Sequence, residues 1–233
     1  MSTPRVIALA ALALTACSTV ADVQSVDALS SIQQLQAKGD YKQIANQSVP
    51  AACDKQNSGT EACAKIYAIH AYACLVSATG NPPSQAPCPD RNDPKAKWID
   101  CAVDGYRKAK GATNDPVELS NLAGNKAHAL YCSAEFSRVD GNDKEAASRV
   151  KEAVDAVSSV PTTPQNARIA ASAELMIAQL QLSSSDRCQA ARDAVNWATR
   201  GLAVTQSDPS EARSLNATLN LARGEAKNIC GGP

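Results

Sequence analysis

The chain holds two histidines, His70 and His128, and nine cysteines. Each histidine is followed four residues later by a cysteine, Cys74 and Cys132. The surrounding segments echo one another: Ile69-His70-Ala71-Tyr72-Ala73-Cys74 against Ala127-His128-Ala129-Leu130-Tyr131-Cys132. On a helix, residues four apart share a face. Two such faces brought together would offer the Cys₂His₂ set that holds zinc tetrahedrally. Against this metal site of His70, Cys74, His128 and Cys132 stands the spacing, since no Cys-x-x-Cys motif occurs. The plainer reading is a packed histidine beside a disulfide cysteine. Other chemistry is scarce. The chain lacks Gly-x-Ser-x-Gly, a phosphate loop and His-Glu-x-x-His, the spacings that place a nucleophile, cradle a phosphate or chelate zinc. Glu118, Glu135 and Glu174 read as solvated helix residues, and Trp98 and Trp197 as core or groove residues. The expectation is a non-catalytic protein with no cofactor.

Whether the cysteines bind metal or each other depends on the compartment, and the N-terminus bears on that. One cation, Arg5, precedes an apolar run, Val6 to Leu14, and then Leu14-Thr15-Ala16-Cys17. The run is far shorter than the roughly 20 residues that span a bilayer; with its basic start and small residues it has the parts of a secretory signal. Leu14 to Cys17 resembles the lipobox of a bacterial lipoprotein. The resemblance covers residues 1–17. It implies a signal peptide at 1–16, removal of that segment, and a diacylglycerol on the Cys17 sulfur, with acyl chains anchoring the chain to a membrane. Ser18 after the cysteine, in place of Asp, implies the outer membrane, at its periplasmic face. No later apolar run of spanning length is expected.

The rest must position these residues. The chain carries no net charge and 3% aromatic residues. A core of Ala, Leu, Val and Ile favours closely packed helices over sheet, and the lack of a basic block argues against nucleic acid. Residues 17–26 read as lipidated cysteine and tether, and 27–233 as one helical domain. Leu29, Ile32 and Leu35 recur at helical spacing; Gly39 is a plausible left-handed stop and Asp40 an N-cap. Further helices are predicted at about 40–56, 60–78, 94–110, 117–136, 144–159, 164–182, 186–205 and 209–229, nine in all and no strand. Between them, 80–93 is the longest irregular stretch, rich in proline and containing Cys88. Long loops often carry function, so it is a candidate contact surface, or else an insertion tied down by Cys88. Gly39-Asp40-Tyr41 between two amphipathic helices resembles the turn inside a tetratricopeptide repeat. The expected fold is therefore all-α: a right-handed α-α superhelix, a stack of helical hairpins stapled by disulfides.

With Cys17 assigned to lipid, eight cysteines remain, an even number that reads as disulfides in an exported chain. Hairpin neighbours predict Cys53–Cys63 across one turn and Cys188–Cys230 across the last antiparallel pair. If Cys74 and Cys132 face the preceding helix, as their echo suggests, Cys132 meets Cys101 and Cys74 is left with Cys88. Together these readings predict a lipid-anchored module for a protein or peptide partner in the cell envelope, a scaffold or assembly adaptor. The alternatives are a metal-binding protein or enzyme built on His70 and His128, and a surface-exposed lipoprotein.

Overall fold

Five helix starts follow from single side chains. Thr60 Oγ1 accepts from the Cys63 amide at 3.3 Å, and Asp115 Oδ1 from the Val117 and Glu118 amides at 2.9 Å each. Asn142, Thr163 and Ser183 do the same for the helices that follow them. Each satisfies amides that have no carbonyl one turn earlier. Pro116 and Pro164 occupy first helical turns, where a missing N–H costs nothing. The computed structural model describes residues 23–54, 60–81, 87–205 and 209–231. Cys17, the expected signal peptide and most of the expected tether lie outside them. Among the described residues there are ten helices and no strand. These are α1 (23–37), α2 (Tyr41–Asn46), α3 (Ala51–Asp54), α4 (Glu61–Thr79), α5 (Lys97–Lys108), α6 (Pro116–Val139), α7 (Asp143–Ser158), α8 (Pro164–Gln179), α9 (Ser184–Val204) and α10 (Pro209–Ile229).

Three expectations about boundaries are corrected. The single helix expected over about 40–56 is two pieces, α2 and α3. Pro50 between them has no amide to donate and pushes Val49 out of helical geometry. Helix α5 starts at Lys97 rather than Pro94. Asp90 and Asp93 accept from the amides of Asn92 and Lys95, two residues on, holding this stretch in turns. Residues 23–26 belong to α1 and not to a tether, and Ser25 is buried, its hydroxyl 3.5 Å from the Cys63 sulfur.

Packing follows chain order. Helix α4 lies on α5, α6 on α7, and α8 on α9, while α10 covers both α8 and α9; α5 on α6 and α7 on α8 join one hairpin to the next. Two of the tight turns are built alike. Gly39 and Gly141, at φ 73° and 75°, let the next amide reach back five residues, Asp40 to Leu35 O and Asn142 to Ser137 O. Small side chains then allow close approach. A Cβ on Gly105 of α5 would stand 2.8 Å from Ala71 Cβ of α4, and one on Gly201 of α9 would stand 2.7 Å from Ala167 Cβ of α8. Polar cross-links also join the helices. Buried Asn166 of α8 donates to the Ser120 carbonyl and hydroxyl of α6 at 3.3 and 3.0 Å. Glu152 of α7 receives both Arg107 of α5 and Lys126 of α6. By length and composition α4, of 19 residues, could cross a membrane, with mean hydropathy 1.2 over an 18-residue window, which the sequence reading did not expect. Its apolar side chains have another use: Ile66, Ala71, Ala73, Cys74 and Leu75 are fully or almost fully buried against neighbouring helices.

Four disulfides staple the stack. Cys53–Cys63 joins α3 to the start of α4, and Cys188–Cys230 joins the first turn of α9 to the end of α10, with Cα separations of 5.3 and 5.1 Å. Both are the pairs that hairpin adjacency predicts. The middle four pair differently from expectation: Cys74 with Cys101 and Cys88 with Cys132, at Cα separations of 6.0 and 5.3 Å, replace Cys74–Cys88 and Cys101–Cys132. The reason is directional. Cys74 faces forward, onto α5 of its own hairpin, where antiparallel packing sets it level with Cys101. The segment after the proline-rich stretch runs across α6: Arg91 pairs with Asp140 at 3.1 Å and stacks over the Phe136 ring at 5.3 Å. That crossing carries Cys88 to Cys132.

Candidate functional site

Three first helices of successive hairpins, α1, α4 and α6, line one groove of about 370 Å³, in the range of clefts that hold ligands. Helix α4 contributes Lys65, Ala68, Ile69 and Tyr72; α6 contributes Glu118, Asn121, Leu122 and Asn125; α1 adds Gln33 and Gln36. The α4 and α6 stripes both run at i, i+3, i+4, i+7, the spacing of one helix face. On α4 the apolar Ala68 and Ile69 lie between Lys65 and Tyr72, and on α6 Leu122 lies among Glu118, Asn121 and Asn125. The four amide side chains, Gln33, Gln36, Asn121 and Asn125, make no hydrogen bond to another described residue, and each offers both a donor pair and an acceptor.

Tyr106 of α5 also lines the groove. It is 4% exposed, and its hydroxyl has no hydrogen-bond partner among the described residues. Burial holds its phenol well above the ordinary range, with Tyr72 adding to the effect, so it is a neutral donor. A buried hydroxyl left unpaired costs about 1–3 kcal/mol. The rim charges are already engaged. Lys65 pairs with Glu61 at 2.6 Å, and Thr113 donates to Glu118 at 2.6 Å. None of the amides or Tyr106 was singled out in the sequence. The signal available was Asn121 and Asn125, two amides four apart early in a helix.

The histidines are not brought together. His70 falls in a cluster with Cys74 and Cys101, and His128 in a second with Cys88 and Cys132, the ligand atoms of each cluster lying within 4.8 Å of one another. The Cys₂His₂ set of His70, Cys74, His128 and Cys132 is thereby corrected. Every sulfur in it is spent in a disulfide, and the partners come from the local crossing of α5 and of the 87–96 segment. The echo survives in another form, a histidine lodged beside a disulfide twice over. In the first, His70 Nε2 lies 2.9 Å from the Gln47 carbonyl and Nδ1 lies 3.9 and 3.8 Å from the sulfurs of Cys74 and Cys101. In the second, buried His128 places Nε2 3.8 Å from the Cys132 sulfur. Burial lowers the pKa of His70, against the opposing pull of the Gln47 and Ala45 carbonyls.

The remaining singled-out residues divide. Trp197 is buried in the core with Arg200 stacked on it at 4.2 Å, and Trp98 is half-buried. Glu118 is exposed, as the sequence reading expects. Glu135 and Glu174 are half-buried instead, Glu135 receiving Arg138 at 2.7 Å and the Tyr131 hydroxyl at 3.2 Å. Residues 87–92 of the proline-rich stretch border a second cleft against Tyr131, Phe136 and Val139, while 82–86 lie outside the described residues. No known family model matches the chain, and no curated protein matches it in sequence.

Proposed function

We propose that the chain is a non-catalytic protein–protein interaction module that binds an extended peptide segment of its partner in the α1–α4–α6 groove. The observation that carries this reading is a groove lined by four unpartnered amides and by Tyr106, whose buried hydroxyl is unpaired among the described residues. An extended backbone presents alternating N–H and C=O groups, and amide side chains can meet both. Ile69 and Leu122, between the polar positions, supply apolar contact for alternate side chains. Four disulfides suit an oxidising compartment. With the lipobox-like Leu14 to Cys17, that supports a lipid-anchored protein of a bacterial envelope, at the periplasmic face of the outer membrane.

Selection of a random peptide library on the immobilised domain tests the groove. Peptides so enriched should lose at least about tenfold in affinity for an Asn121→Ala/Asn125→Ala variant. They should bind a Lys144→Ala variant, altered at an exposed site on α7, as they bind wild type. Equal loss in both variants, or in neither, overturns the groove assignment. The anchor is tested separately: Cys17→Ala should release the protein from the membrane fraction. Protease digestion of intact cells that removed it would favour a surface-exposed lipoprotein over a periplasmic adaptor.

A further inference from the structure

His70 is held in one tautomer by its neighbours. A backbone carbonyl can only accept, so the 2.9 Å contact with Gln47 O requires that Nε2 carry the proton. In the neutral ring Nδ1 is then a free lone pair, and it is aimed at the two sulfurs of Cys74 and Cys101, 3.9 and 3.8 Å away. A histidine that donates one ring N–H to a carbonyl and directs the other nitrogen at a site is how metal-ligating imidazoles are oriented. For metal–sulfur bonds of about 2.3 Å and metal–nitrogen bonds of about 2.0 Å, tetrahedral angles put nitrogen and sulfur about 3.5 Å apart. The two observed separations are within a few tenths of that.

We propose that reductive opening of the Cys74–Cys101 disulfide converts this cluster into a three-ligand site, His70 Nδ1 with two thiolates, for a soft or borderline d¹⁰ cation, Zn²⁺ or Cu⁺. The reductant is a dithiol. Cys101 is partly exposed and Cys74 fully buried, so an incoming thiolate attacks the Cys101 sulfur. A mixed disulfide forms, the Cys74–Cys101 bond breaks, and Cys74 leaves as a thiolate beside His70. The second thiol of the reductant then displaces Cys101 and is itself oxidised to the disulfide. Two electrons and two protons enter the pair, and the protons leave again when the metal binds. Three protein ligands leave the fourth position open, as in sites that exchange a ligand. This site is independent of the groove.

The test uses the exported chain, reduced under anaerobic conditions with a water-soluble phosphine, which becomes its oxide and leaves no competing thiol. After desalting, Co²⁺ is titrated as the probe. A Cys88→Ser/Cys132→Ser background removes the second cluster. On it the reduced chain should take up one Co²⁺ more than the same background carrying His70→Ala, with a thiolate-to-cobalt charge-transfer band, and the oxidised chain should show none. Loss of an orienting partner alone weakens metal sites 10–100-fold, so removal of the ligand in His70→Ala should weaken binding by roughly 100-fold or more. Circular dichroism reports whether each variant stays helical. If the double-serine background does not, His70→Ala in the chain with all its cysteines should bind one equivalent fewer than wild type. A band in the oxidised chain, its absence after reduction, or an unchanged stoichiometry in His70→Ala overturns the proposal.

Discussion

Glu174 stands on α8 facing Asp193 of α9 and Asp155 of α7. Burial, reinforced by those two carboxylates, pushes its pKa up to about 7. A carboxyl raised in the folded state holds its proton there while the unfolded chain has already lost it. Folding is then favoured by this group at and below the unfolded value near 4.5, and that contribution is lost as pH rises through about 7. The shift corresponds to at most about 3 kcal/mol, reduced by the partial exposure of the site. Wild type should therefore lose about 1–3 kcal/mol between pH 4.5 and 8 through this residue, and Glu174→Gln should flatten the slope and be the more stable protein at pH 8. Urea midpoints of both chains across that range measure it; parallel profiles would remove Glu174 as the cause. At the same scale Tyr106 combines a buried ring with an unsatisfied hydroxyl. Tyr106→Phe should be neutral or slightly stabilising in the free protein, because it removes an unmade hydrogen bond. It should nonetheless weaken binding of groove peptides. Calorimetry of the free chain and peptide titration separate the two effects.

Helices here approach one another through glycine and alanine, and that sets how much each element tolerates. Gly105 lies against Ala71 at the α4–α5 crossing, with backbone as well as Cβ of Ala71 inside the space a methyl would need. Alanine is the better helix former by about 1 kcal/mol, but overpacking a fixed crossing costs about 1–3 kcal/mol. Gly105→Ala should be net destabilising by up to about 2 kcal/mol. Gly224 of α10 has open space around its would-be Cβ, and Gly224→Ala should stabilise by about 0.5–1 kcal/mol. Thermal melts of the pair check the sign of each; stabilisation by Gly105→Ala would mean that α4 and α5 are not locked together as described. The first helices α1, α4 and α6 are the elements that build the groove. Their amides do not contribute to the core, which is the reason they are available to a partner.

Across the whole molecule the disulfides differ in how much chain they close. Cys53–Cys63 spans 10 residues and Cys88–Cys132 spans 44. Restricting the unfolded chain over those lengths is worth roughly 3 and roughly 4 kcal/mol respectively. Removal of Cys88–Cys132 as a serine pair should therefore lower the melting temperature more than removal of Cys53–Cys63. It also frees the 87–96 segment from α6, leaving Arg91 to hold it through Asp140 and Phe136. The opposite order in melting temperature would show that strain or residual structure, and not chain closure, sets their value. A neutral, alanine-rich stack with few aromatic residues depends on such closure more than a protein with a large aromatic core.

The sequence by itself determined what local hydrogen bonding decides. Leu29, Ile32 and Leu35 mark a helix and Gly39 ends it, although Asp40, expected as the next N-cap, makes no side-chain cap bond, and hairpin adjacency pairs Cys53 with Cys63 and Cys188 with Cys230. An all-α chain of stacked hairpins was legible from those signals, because caps and turns act within a few residues of themselves. The break at Pro50 was legible in principle and was outweighed by the helical pattern on either side. Only the tertiary structure decided which way Cys74 faces and where the 87–96 segment crosses. Those depend on how helix faces rotate against neighbours and on contacts such as Arg91 with Asp140, 49 residues apart. The groove was illegible for the same reason. Asn121 and Asn125 come to line a groove only when α6 is set beside α4 and α1, with Tyr106, whose hydroxyl the fold buries unpaired among the described residues, in the same lining.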